Sequence, residues 1–206
     1  MIRAITVIMG ISFLMGCTVF GVRNAEQPSY DVLQRDGQIE VRRYESLLIA
    51  STKVDGSDKN SSNIAFKRLA KYIFGENRSA QNMDMTAPVT QEMPRNKIAM
   101  TAPVLQDGSD TQMVMSFVMP SKYTFDTLPK PIDPTIKLDT VPERKIASIQ
   151  YSGRWSTANT ERQTAKLQQW LKQQDVEAIS VPISAAYDPP WTLPFLRRNE
   201  VHIEIQ

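Results

Sequence analysis

Residues 39–56 read IEVRRYESLLIASTKVDG, and residues 136–153 read IKLDTVPERKIASIQYSG. The two stretches align without a gap at an offset of 97 residues. Identical residues stand at five aligned positions: Ile39, Ile49, Ala50, Ser51 and Gly56 match Ile136, Ile146, Ala147, Ser148 and Gly153. Each copy reads as a strand, a turn and a second strand that stops at the glycine. This repetition favours a duplicated domain with approximate two-fold symmetry; two unrelated hairpins are the alternative.

An amphipathic helix is predicted after each copy. The first covers residues 62–74 and is ended by Gly75 and Asn77. The second covers residues 157–174 and begins at a Ser156 or Thr157 cap. Their apolar faces consist of Phe66, Leu69, Ala70 and Ile73 in the first helix, and Leu167, Trp170 and Leu171 in the second.

Further strands are expected after each helix, at residues 89–91, 97–100 and 112–120 in the first half and at residues 179–187 and 199–205 in the second. The sequence therefore predicts an α+β fold. Two pseudo-symmetric, β-rich halves, each with one amphipathic helix, should form a distorted β-barrel or curved sheet. We expect a cleft where the halves meet.

The pentapeptide MTAPV occurs twice, at residues 85–89 and 100–104. Each copy contains a proline, which removes a backbone donor, so neither copy can be a central strand. Local physics predicts two edge or loop segments joined by a turn around residues 94–96. The other interpretation is that the repeat is a family signature.

The N-terminus has the pattern of an export signal. Arg3 precedes an apolar run over residues 4–15, which is shorter than the roughly 20 residues of a membrane span. The run ends in LMGC, which resembles a bacterial lipobox with Cys17 as the acylated residue. We predict a lipoprotein signal peptide over residues 1–17, a tether over residues 18–28 and one domain over residues 29–206. A plain signal peptide or an uncleaved anchor is the alternative.

The predicted location is the cell envelope. Thr18 follows the cysteine, and by resemblance to Gram-negative lipoproteins this residue predicts an outer-membrane protein that faces the periplasm. The net charge is only +2, and no basic stripe of the kind that binds nucleic acid is visible. Nucleophile elbows, phosphate loops and His-rich metal motifs are missing from the sequence, so no enzyme is predicted.

The single histidine, His202, lies in the alternating run EVHIEI. It shares a strand face with Glu200 and Glu204, and we expect that face to be exposed to solvent. In this interpretation the Cys17 thiol carries an acyl chain and is not available as an iron ligand. The methionines between residues 83 and 119 are expected to fill the core, so no metal site is predicted.

Several short patterns, in order along the chain, resemble the SOUL family of haem-binding proteins. They are YDVL (30–33), IEVRRY (39–44), YIFGEN (72–77), the two MTAPV copies, AYDPP (186–190) and RRNEV (197–201). The resemblance covers roughly residues 28–206. It implies a twisted barrel flanked by two helices, a fold that recurs in effector-binding domains, and it implies the binding of haem or a related tetrapyrrole.

The resemblance also implies a site. Some family members use a histidine near the start of the fold, where this chain has none, so haem binding without histidine ligation is expected. In members without that histidine, a groove lies between the first helix and the Tyr-Asp-Pro-Pro loop. The corresponding residues are Asn63, Phe66, Lys67, Ala70 and Lys71 on the helix, and Trp191, Leu193, Phe195 and Arg197 after the loop.

An apolar slot with cations at its mouth suits a flat hydrophobic dianion. The alternative is that Phe66 and Ala70 belong to the core, the lysines to a solvated face and Trp191 to its own loop.

The predicted function is a non-catalytic haem-binding lipoprotein that acts as a carrier, buffer or sensor, with the membrane as a partner and no nucleic acid. The alternatives are an envelope structural or interaction protein, or a binder of another amphipathic molecule.

Overall fold

The computed structural model describes residues 25–55, 60–78, 97–108, 112–189 and 191–206. The predicted signal peptide with its lipobox, most of the predicted tether, the first MTAPV copy and the strand predicted at residues 89–91 lie outside the described residues. No helix within the described part of the chain combines the length and the apolar character that crossing a bilayer requires.

The described residues form two α-helices and eleven strands. The helices are α1 (Ser61–Ile73) and α2 (Thr157–Gln173). The strands are β1 (Tyr30–Asp36), β2 (Ile39–Tyr44), β3 (Leu47–Asp55), β4 (Asn77–Arg78), β5 (Val104–Gly108), β6 (Gln112–Val118), β7 (Lys130–Pro131), β8 (Ile136–Val141), β9 (Arg144–Tyr151), β10 (Ile183–Ala186) and β11 (Asn199–Ile205). A short 3₁₀ helix (Pro194–Leu196) precedes β11.

Both predicted helices are present within one residue of their expected ends. The Ser156 hydroxyl accepts a hydrogen bond from the Asn159 N–H and caps α2, as predicted. After α1, Gly75 adopts a positive φ of 122°, and the Asn77 amide donates to the Tyr72 carbonyl at 2.8 Å. These two residues end the helix: the positive φ of Gly75 turns the backbone away from the helical path, and the Asn77 side chain satisfies a carbonyl of the last turn.

Nine strands form one curled half-barrel in the order β1-β2-β9-β11-β10-β5-β6-β3-β8. In this order, β2, β3, β5 and β6 of the first half correspond to β8, β9, β10 and β11 of the second half. Exchanging each strand for its counterpart gives the same order read from the other end, with only β1 left without a counterpart. The register follows the 97-residue offset: Ile39 lies opposite Ile149, and the equivalent pair, Ile136 and Thr52, also lies face to face. The predicted α+β fold of two pseudo-symmetric halves is confirmed.

The two strands in each copy do not form a hairpin, because β2 pairs with β9 and β3 pairs with β8. Each half therefore supplies the hydrogen-bonding partners of the other half. A local alternating pattern specifies that a strand forms and which of its faces is apolar, but it does not specify which strand lies beside it.

Both helices cover the same face of the sheet. α1 packs over β3 and β6, where Leu69 lies against Phe117 in one core cluster. α2 packs over β9 and β11, where Leu167 belongs to a second cluster with Val201. Three of the methionines expected in the core are buried there: Met113, Met115 and Met119. The other face of the curled sheet forms a concave interior.

Two strand predictions need correction, and one strand in the interior of the sheet was missed. The segment at residues 97–100 is not a strand, although Ile98 is buried and its N–H donates to the Ile73 carbonyl at 2.7 Å. The strand expected at 179–187 shortens to β10. The sequence analysis missed β5, which begins at the last residue of the second MTAPV copy and lies in the middle of the sheet. Pro103 immediately precedes it, so the missing N–H falls outside the ladder.

Candidate ligand-binding site

A groove of about 440 Å³ lies beside the C-terminal half of α1. Four of the five residues predicted on the helix line it: Phe66, Lys67, Ala70 and Lys71. The spacing of three and four residues places them on one side of the helix. Asn63, the fifth, is exposed one turn earlier on α1 and does not line the groove.

The groove has aromatic walls that are open to solvent. Phe66 is 37% exposed, and its ring meets the Phe117 ring edge-on with centroids 5.5 Å apart. Phe74, which sequence reasoning missed, is 61% exposed and lies at the end of the groove. The alternative that Phe66 belongs to the core was wrong, because the buried apolar side chains of α1 are Ala65, Leu69, Tyr72 and Ile73. The exposed rings therefore form a surface that can pack against a flat apolar molecule.

Three lysines surround these rings. Lys67 and Lys71 come from α1, and Lys97 comes from the segment that follows the undescribed residues 79–96. Lys71 forms an exposed ion pair with Glu76 at 3.4 Å. With one carboxylate among the lining residues, the groove keeps an excess of positive charge that suits an anionic ligand.

The residues predicted on the loop side do not line this groove. Trp191 and Phe195 are 61% and 70% exposed on the connection between β10 and β11. Arg197 donates from Nε to the Thr192 carbonyl at 2.7 Å. The structure therefore separates the two predicted sets of site residues, and the contact of Trp191, Phe195 and Arg197 with haem stays a prediction.

A larger cavity of about 510 Å³ opens at the end of the half-barrel. Its lining combines two carboxylates, Glu26 and Glu45, with several hydroxyl groups. This composition is opposite in charge to the α1 groove. We favour the α1 groove as the site for an anionic ligand because its charges and exposed rings are complementary to one.

The expectation that His202 faces solvent was wrong. His202 is buried in the concave interior of the half-barrel, and its Nε2 lies 2.7 Å from the Glu200 carboxylate. The alternating run correctly placed both side chains on one face. An alternating pattern cannot tell which face the curled sheet encloses, and this explains the error. Since α1 packs on the opposite face, His202 does not reach the α1 groove.

Glu200 is the centre of a buried ionic cluster. Its side chain is completely buried and accepts two hydrogen bonds from Arg42, at 2.6 and 3.1 Å. Arg198 binds the same carboxylate at 2.6 Å. The hydroxyls of Ser148 and Tyr187 each donate to it at 3.0 Å. Burial raises the pKa of Glu200, but the hydrogen bonds and charges of His202 and Arg42 outweigh burial and hold that pKa well below 4.5.

The arginines of this cluster also stack on aromatic rings. The Arg42 guanidinium lies 4.4 Å from the centre of the Tyr30 ring, and that of Arg198 lies 4.0 Å from the centre of the Tyr187 ring. Burial, followed by the Glu200 charge, raises the pKa of Tyr187 well above 10.0, so its hydroxyl stays a donor. Every ionic group of this cluster has a partner within the protein, and removing one partner from a buried cluster of this kind is strongly destabilising.

Among the described residues, no group of three or more His, Cys, Asp or Glu side chains is arranged to hold a metal ion. The fold and the groove define the class of protein: a duplicated α+β half-barrel with an open, lysine-rimmed groove on its first helix. The chain belongs to the SOUL heme-binding protein family, whose model matches residues 25–204.

Two relatives illustrate the relationship. The chain is 30% identical over 183 residues to Heme-binding protein 1 of Xenopus tropicalis, which covers 88% of this chain and 91% of that protein. It is 27% identical over 173 residues to Heme-binding protein 2 of Homo sapiens, with 83% and 80% covered. Both relatives are named as heme-binding proteins.

Solved structures share the fold at low identity. The C-terminal domain of EcmrR matches with a TM-score of 0.58 and 11% identity, over 82% of this chain and 97% of that one. A hydrolase from Listeria innocua matches with a TM-score of 0.55 and 13% identity, over 84% and 94%. At this level of identity the comparison establishes the architecture alone.

Proposed function

We propose that this protein binds haem, or another flat tetrapyrrole with two carboxylates, in the α1 groove. The observation that carries the proposal is the pairing of exposed aromatic rings with three lysines around one groove. The rings of Phe66 and Phe74 would pack against the tetrapyrrole face, where burial of each aromatic contact contributes about 1.5–3 kcal/mol. Membership of a heme-binding family and the names of the relatives support the same ligand.

The residues present fit the ring and the carboxylates of haem. Lys67, Lys71 and Lys97 can donate charge-assisted hydrogen bonds to the propionates. The described residues that line the groove include no imidazole, thiolate, thioether or phenol, which are the usual axial ligands. Bound haem would supply a redox-active iron, but these side chains hold the periphery of the ring. We therefore propose a non-catalytic role in carrying, buffering or sensing haem.

The test is a haem titration followed by the Soret band. Lys67→Glu combined with Lys71→Glu should raise the haem Kd at least about tenfold, because the substituted groove repels the propionates and 1.4 kcal/mol corresponds to a factor of ten. The matched control is Lys166→Glu combined with Lys172→Glu, which makes the same charge change on exposed positions of α2. This control should bind haem like the wild type.

Two results would contradict the assignment. A haem spectrum that does not change when equimolar wild-type protein is added would reject haem as the ligand. Equal weakening in both double variants would show that net charge, rather than the α1 groove, controls binding. Circular dichroism of each variant verifies that the helices are retained.

We also propose that the protein is a lipoprotein of the cell envelope, anchored through Cys17. The support is the LMGC sequence after a short apolar run. Cys17→Ser should abolish acylation. The protein should then no longer be recovered in the membrane fraction, because it has lost its anchor. Thr18→Ala, at the adjacent position, should leave both unchanged. The measurements are the mass of the N-terminal peptide and membrane fractionation, and an unmodified Cys17 in the wild type would rule the anchor out.

A further inference from the structure

The connection between β10 and β11 exposes three large apolar side chains within five residues. Trp191 and Phe195 are more than half exposed, and Leu193 lies between them at 37%. An exposed apolar group of this kind marks a surface that contacts a protein or a membrane. None of the three lines the α1 groove.

Hydrogen bonds hold this connection in a defined shape. The Thr192 N–H donates to the Pro189 carbonyl at 3.1 Å, and the Leu196 N–H donates to the Leu193 carbonyl at 2.9 Å. The Pro194 carbonyl accepts a hydrogen bond from the Gly153 N–H at 2.9 Å. This bond joins the part of the connection that carries the three apolar side chains (residues 191–195, the aromatic tip) to the residues that follow β9. The backbone thus presents the three side chains without having to order itself on binding.

The N-terminal segment enters the domain beside the same connection. Ala25 packs against the buried cluster that includes Ala185 and Tyr187, where the connection begins. Gln27 accepts a hydrogen bond from Arg198 at 3.3 Å, where the connection ends. The first described residues therefore contact both ends of the segment that carries the exposed aromatic rings.

The tether is short. Seven residues separate Cys17 from Ala25. Even a fully extended chain would span at most about 29 Å over this distance. If an acyl chain on Cys17 lies in the bilayer, the end of the domain that contains Ala25 must therefore stay close to the lipid headgroups.

We propose that the connection between β10 and β11 docks on an anionic bilayer surface, an inference that rests on the proposed lipid anchor at Cys17. Trp191, Leu193 and Phe195 enter the interfacial layer, where tryptophan with its apolar ring and polar N–H is favoured. Arg197 follows the aromatic tip, and the exposed Arg154 adjoins Gly153, which binds that tip. Both cations face anionic headgroups.

The experiment uses the full-length, acylated protein in vesicles of phosphatidylethanolamine and phosphatidylglycerol, with and without brominated acyl chains that quench tryptophan. The difference between wild-type emission and that of Trp191→Phe isolates Trp191 from Trp155 and Trp170. We expect brominated lipid to remove most of the Trp191 emission. The matched control carries Val181→Trp together with Trp191→Phe, because Val181 is also exposed but lies at the opposite end of β10.

The expected result is a quenched Trp191 and an unquenched tryptophan at position 181. Acylated protein whose Trp191 is not quenched would overturn the docking of this connection while leaving the anchor intact. Equal quenching at both positions would also overturn it, because the domain would have no preferred orientation. Protein whose Cys17 carries no acyl chain in the mass spectrum would instead remove the anchor and the tether argument with it.

Discussion

Glu200→Gln is expected to lower the free energy of unfolding by about 3–5 kcal/mol. The substitution keeps the size of the side chain but removes its charge, and it leaves Arg42 and Arg198 without the carboxylate that both contact. Arg198 would then lack its carboxylate partner, and Arg42 would keep only Glu40, whose carboxylate lies 2.7 Å from the Arg42 Nε. Equilibrium unfolding in urea at pH 7 measures the loss.

Glu204→Gln is the matched control, since Glu204 lies on the same face of β11 but is 31% exposed and meets Arg144 at 3.5 Å. We expect it to cost less than about 1 kcal/mol. The difference between wild type and Glu200→Gln should narrow as the pH falls below 4.5, because Glu200, whose pKa is depressed in the folded state, stabilises only while ionised. A loss below about 1 kcal/mol at pH 7 would contradict the role assigned to Glu200.

Leu69→Ala and Leu167→Ala should each lower the free energy of unfolding by about 2–5 kcal/mol. Both leucines are completely buried, Leu69 between α1 and the sheet and Leu167 between α2 and the sheet. Each substitution removes apolar contacts and leaves a cavity. Because each half supplies the strand partners of the other half, both variants should unfold in a single transition.

Urea unfolding followed by circular dichroism and by tryptophan emission tests this prediction. Ile179→Ala, at a position that is 52% exposed, is the control and should change the stability by less than about 0.5 kcal/mol. Two separated transitions, with each leucine variant shifting only one of them, would show that the halves fold independently and would contradict the cooperative pairing.

The candidate groove was partly predictable. Phe66, Lys67, Ala70 and Lys71 followed from the family resemblance, and helical spacing would have added Phe74, four residues after Ala70. Lys97 reaches the groove from a segment that is distant in sequence, so local periodicity carries no signal for it. Whether Trp191 and Phe195 lie beside α1 depends on the distance between two parts of the sheet, and sequence patterns carry no information on that distance. In the structure neither residue lines the groove.

By itself, the sequence located both helices to within one residue and most strands of the nine-stranded sheet, and it revealed the duplication. These properties depend on local periodicity, on capping residues and on glycine positions, all of which act within a few residues. Only the tertiary structure decided that strands pair between the halves and that the Glu200 face of β11 is enclosed. Arg42 and Glu200 are 158 residues apart in the chain, and they meet because the strand order places β2 and β11 on the two sides of β9.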